Sequence, residues 1–119
     1  MIQGERKLAR IIEALTMFFF GLGADRIQSD IALSGDQAVI RFRANYQKEY
    51  RQQLCRLEEC FNEPKNRGIE DFYWEMAGSG DPGEDSQLLL VGMMIDKAEI
   101  AVEEEEVSLI LYKNMGDDL

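Results

Sequence analysis

Histidine is missing from the 119 residues altogether. Its absence removes imidazole general bases, the usual serine and cysteine triads, histidine phosphotransfer and most catalytic zinc sites. Cysteine occurs twice, as Cys55 and Cys60. On a helix, five positions is about 140° of rotation, which keeps the two thiols from bridging and matches no zinc spacing. Reduced, partly buried thiols are therefore expected. Positive charge is scarce, with 13 Lys and Arg against 23 Asp and Glu and a net charge of −10. Affinity for a phosphate backbone comes largely from lysine and arginine displacing counterions, so nucleic-acid binding is not expected. The small basic groups Arg6, Lys7, Arg10 and Lys48, Arg51, Arg56 are interleaved with acids or fall on solvated helix faces.

Long apolar runs are lacking too. The longest, Leu15 to Phe20 and Leu88 to Ile95, fall far short of the ~20 residues a membrane span needs. The N-terminal residues run straight into an amphipathic pattern with no separate apolar core and cleavage site. No membrane association and a cytoplasmic location are the expectation. With 45% hydrophobic and 30% charged residues, the chain reads as globular, one domain over residues 1–119.

What is present is a succession of periodic segments. Leu8, Ile11, Ile12, Leu15, Phe18, Phe19 and Leu22 follow a helical period from about Gly4 to Leu22. Ile27, Ile31 and Leu33, then Ala38, Ile40, Phe42 and Ala44, alternate on either side of the turn Ser34-Gly35-Asp36, which predicts a hairpin. A second helix starts near Gln47, presents Tyr50, Leu54, Leu57 and Phe61 on one face, and ends at Glu63-Pro64. Beyond Gly68, the residues Ile69, Phe72, Tyr73 and Met76 predict a shorter amphipathic helix. "GSGDPGEDS", Gly78 to Ser86, reads as a flexible loop. Asp85 or Ser86 then caps a helix through Ile95 whose apolar residues lie nearly all round, a composition that calls for burial. Ile100 and Val102, then Val107, Leu109 and Leu111, predict a second hairpin whose turn holds Glu103 to Glu106 as a solvated tip rather than a metal site. Two hairpins with helices between them make an α/β (α+β) two-layer sandwich: one mixed or antiparallel sheet, covered on one face by helices.

This order, and above all the ending "GDPGEDSQLLLVGMMIDKAEIAVEEEEVSLILYKN", resembles the C-terminal part of the histidine-kinase-like ATPase domain, the GHKL or Bergerat fold. The likeness covers nearly the whole chain, without the family's usual N-terminal strands, and rests on element order and apolar pattern. It implies a place for each nucleotide-binding element. The family's magnesium motif, a glutamate followed four residues later by an asparagine, falls on Glu13 and Met17. Magnesium requires hard oxygen ligands, which a thioether does not provide. The family's adenine-reading aspartate and glycine fall at Ala44-Asn45-Tyr46, where only Asn45, after a one-residue shift, offers an acceptor. The phosphate lid falls on Gly78, Gly80 and Gly83, among Asp81, Glu84 and Asp85, whose charge opposes phosphate.

The resemblance with these departures implies a pseudo-ATPase: no metal, no cofactor, no catalytic residue, and a regulatory role through binding another protein. Phe18, Phe19, Phe20, Tyr73, Trp74, Met93 and Met94 include candidates for an interface as well as for the core. A homodimer is expected. The alternative is an ATP-binding serine kinase or anti-sigma-type regulator with a displaced site, using Glu13 as base, Asn45 on adenine and Gly78, Gly80 and Gly83 on phosphate. A third reading is an unrelated α/β sandwich that serves oligomerisation or holds a small ligand.

Overall fold

In the computed structural model, residues 2–62 and 83–116 are described. The first amphipathic stretch forms α1 (Ile2–Gly21). Its apolar stripe lies inward, with Leu8, Ile11, Leu15, Phe18, Phe19 and Leu22 buried. The helix stops in a Schellman arrangement: the Ala24 N–H donates to the Phe19 carbonyl and the Gly23 N–H to the Phe20 carbonyl, each at 3.0 Å. Gly23 takes the left-handed conformation, φ 82°, that this ending requires.

Strands β1 (Ile27–Ser34) and β2 (Gln37–Asn45) follow as an antiparallel hairpin. Their two-residue turn, Gly35-Asp36, has positive φ only at Gly35, as a type II′ turn needs. A 3₁₀ segment (Lys48–Leu54) runs directly into α2 (Cys55–Asn62). The expected single helix from Gln47 is thus wound tightly in its first half, while Leu54, Leu57 and Phe61 are buried as one stripe. Helix α3 (Gly83–Met94) leads to the second hairpin, β3 (Lys97–Val102) and β4 (Glu106–Asn114). Because α3 starts at Gly83, Asp85 and Ser86 lie within it rather than capping it, and the expected loop ends earlier than Ser86. The short helix expected around Ile69 to Met76 lies outside the described residues, as do Tyr73 and Trp74.

The four strands form one antiparallel sheet in the order β1-β2-β4-β3, so the hairpins sit side by side. Ala38, Ile40, Phe42, Ala44, Val107, Leu109 and Leu111 point from its covered face into the core. Helix α3 packs against both α1 and α2, while α1 lies over β2 and α2 over β3. Phe19 bridges the layers, with its ring 5.3 Å from Phe18 in an edge-on contact and 5.6 Å from Phe42. The architecture is the two-layer sandwich expected from the periodicity, and its sheet is wholly antiparallel. No described helix is long and apolar enough to cross a membrane.

The other sheet face is polar and laced with exposed ion pairs. Arg41 meets Asp30 across the β1–β2 pairing at 3.8 Å, and Arg43 reaches Glu106 diagonally at 3.1 Å. Lys97 pairs with Glu99 at 3.6 Å and lies 5.6 Å over the Tyr112 ring. Exposed pairs of this kind contribute roughly 0–1 kcal/mol each. Their larger effect is to keep that face in water.

Candidate functional site

The end of β2 is where the chain's distant parts meet. Asn45, its last residue, turns its carboxamide toward the loop between α1 and β1. The Oδ1 accepts from the Asp25 N–H at 3.0 Å and the Arg26 N–H at 3.1 Å, and the Nδ2 donates to the Asp25 carboxylate at 2.6 Å. The Asn45 N–H donates to the Arg26 carbonyl at 3.2 Å, continuing the strand ladder. Both lone pairs of the amide oxygen are thereby occupied within the fold.

Tyr46 follows with its ring buried. Its hydroxyl faces the carbonyls of Glu103 and Glu104 at 2.6 and 2.8 Å, so its single hydrogen holds the β3–β4 turn. Within that turn the Glu103 N–H donates to the Glu106 carbonyl at 2.8 Å, and Glu103, Glu104 and Glu105 stand exposed. Gln47 completes the junction: its N–H donates to the Leu22 carbonyl at 2.9 Å and its Nε2 to the Gly23 carbonyl at 3.3 Å. A Cβ on Gly23 would fall 2.4 Å from Gln47 Cγ, so glycine is needed there for space as well as for φ.

Around these residues lies an open cleft of about 740 Å³, lined by Asp25, Arg26, Asn45, Tyr46, Gln47, Lys48, Glu49, Glu105 and Glu106. Asp25, Glu49, Glu105 and Glu106 outnumber Arg26 and Lys48, so the local field disfavours a polyphosphate. The fold brings Asp25, Lys48 and Glu49 together at this cleft, a grouping with no signal in the sequence. Asp25 lies in the α1–β1 loop and Lys48 and Glu49 open the 3₁₀ segment, more than twenty positions on, with no shared motif.

Glu13 is not among the residues lining this cleft. It stands exposed on the outer side of α1, in line with Met17 and Phe20 one and two turns on, opposite the buried stripe. Asn45 is therefore at the cleft while Glu13 is not. Gly83 is the first residue of α3, and Gly78 and Gly80 lie outside the described residues. Cys55 is exposed rather than partly buried, Cys60 is half-buried, and neither is joined in a disulfide.

Among the described residues, four large apolar side chains stand in solvent: Met17 (51% exposed), Phe20 (56%), Ile31 (43%) and Leu33 (58%). Phe18 and Phe19 are core residues, whereas Phe20 belongs to the outside. Ile31 and Leu33 were expected on the covered face. They do point to that side, opposite buried Ile40 and Ala38, but the described helices lie over β2 and beyond, leaving this end of β1 uncovered. Comparison of the chain with family models, with curated proteins and with solved structures found no match.

Proposed function

We propose that this chain is a non-catalytic module of histidine-kinase-like ATPase architecture that regulates by binding another protein. One contrast carries the reading: polar groups at the end of β2 are hydrogen-bonded within the fold, while Met17, Phe20, Ile31 and Leu33 are turned outward. Large apolar groups in water favour association, because covering them recovers about 25 cal/mol per Å². Methionine and aromatic residues are enriched at such contacts. Side-by-side hairpins beneath one helical layer support the architectural part of the proposal to the level of element order.

Glu13 beside Met17 and Phe20 then serves as the polar margin of a contact face rather than as a base. Calorimetric titration with ATP and magnesium tests the reading. No measurable heat is expected at protein concentrations of tens of micromolar, whereas micromolar affinity overturns it in favour of an ATP-binding kinase. In parallel, Met17→Ser with Phe20→Ser should release the partner retained by the unmodified chain in co-purification from the native cell, with the fold unchanged by circular dichroism.

A further inference from the structure

Among the described residues, strand β1 is an edge of the sheet built without lysine, proline or a bulge. Edge strands are normally shielded by lysine, proline, a bulge or a covering segment, because their outer N–H and C=O groups invite another strand. β1 has none of the first three: it runs eight residues in unbroken register with β2, and its one charge, Asp30, faces Arg41 on the open side. The opposite edge, β3, carries Lys97 and Glu99. The Asn45 N–H to Arg26 carbonyl bond sets the alternation of the ladder. By that alternation Gln28, Asp30, Ala32 and Ser34 bond to β2, and Ile27, Ser29, Ile31 and Leu33 direct their backbone groups outward. The exposed apolar side chains Ile31 and Leu33 belong to this outward set.

We infer that β1 pairs with β1 of a second copy of this chain, antiparallel about a two-fold axis through Ile31, to give a continuous eight-stranded sheet. This goes beyond the proposed regulatory role and does not depend on it. Parity allows it, since pairing of odd positions with odd positions keeps both helical layers on the same face. Charge selects the register. With Ile31 opposite its own copy, Ser29 meets Leu33 and Asp30 meets Ala32. Arg26, just before the strand, comes opposite Asp36 in the partner's turn, twice by symmetry. Both Arg26 and Asp36 are exposed, and neither makes an ion pair among the described residues. Sliding by two residues one way sets Asp30 against Asp30, a like-charge contact. Sliding the other way shortens the pairing and separates Arg26 from Asp36. In the chosen register about six interchain backbone hydrogen bonds form.

Sedimentation equilibrium of the full chain tests the inference, with a mass twice that of one chain expected at tens of micromolar. Leu33→Pro removes an outward N–H without breaking a β1–β2 bond, and should give a folded monomer. Arg26→Asp and Asp36→Arg should each weaken the dimer about tenfold, because each places like charges together twice. The double exchange, Arg26→Asp with Asp36→Arg, should recover the original affinity. A monomeric unmodified chain overturns the inference. So does a dimer that Leu33→Pro leaves intact with the fold preserved, or one for which the double exchange is no better than either single change.

Discussion

Replacing Asn45 by alanine removes one oxygen that accepts two hydrogen bonds and one amide donor, and leaves the Asp25 and Arg26 amides to water. Net hydrogen bonds are worth about 1 kcal/mol, less where water can substitute, so Asn45→Ala should cost about 1–2 kcal/mol. A lower urea midpoint with an unchanged slope checks it. Tyr46→Phe keeps the buried ring and deletes only the hydroxyl that holds the Glu103 and Glu104 carbonyls. The expected loss is about 1 kcal/mol. Amide exchange should quicken in the β3–β4 turn and stay unchanged in the β1–β2 turn. Lys113 was not foreseen as a core residue, yet the alternation Val107, Leu109, Leu111 continues onto it. It is buried, and its ammonium donates to the Met94 carbonyl at 3.0 Å, where α3 ends. A cation there satisfies a terminal carbonyl and opposes the helix dipole. Parity along β4 is the signal for it, and lysine at a buried parity position is legible only once the end of α3 is placed beside it.

At the scale of elements, periodicity carried most of the fold. The α1 stripe, both hairpins and the α2 face were legible because each apolar set repeats with the period of its own structure. Sheet order was not, since nothing local says that β2 rather than β1 adjoins β4. The cover of β1 was illegible for the same reason: Ile31 and Leu33 alternate like core residues, and only the placement of α1 over β2 leaves them outside. The candidate site was legible only in part. Asn45 and Tyr46 were singled out by position, but the use of the Asn45 amide within the fold depends on Asp25 and Arg26, some twenty positions earlier. Contact between α2 and α3 supplies a sharper test. A Cβ on Gly92 would fall 2.2 Å from the Cys60 carbonyl oxygen, so the helices approach with no room for a methyl group. Gly92→Ala gains helix propensity of under ~1 kcal/mol. Overpacking against rigid backbone costs about 1–3 kcal/mol. Net destabilisation is expected, seen as a lower thermal midpoint. A higher midpoint would refute so close an approach.

For the molecule as a whole, a net charge of −10 on 119 residues is a source of self-repulsion in the folded state. Salt shortens the Debye length from about 30 Å at 0.01 M to about 10 Å at 0.1 M, and so relieves it. Thermal midpoints should therefore rise between 10 and 200 mM sodium chloride by roughly a few degrees, the sign being opposite to that of a fold held by its surface ion pairs. Finally, the strand order has a bearing on synthesis. β4 leaves the ribosome after the other three described strands, yet it lies inside the sheet, between β2 and β3. Until it emerges, the nascent β1–β2 ribbon is bare along both flanks, and no partial chain ending before Glu106 can close a core over Phe42. Synthesis must have passed β4 before the four-stranded sheet can be completed.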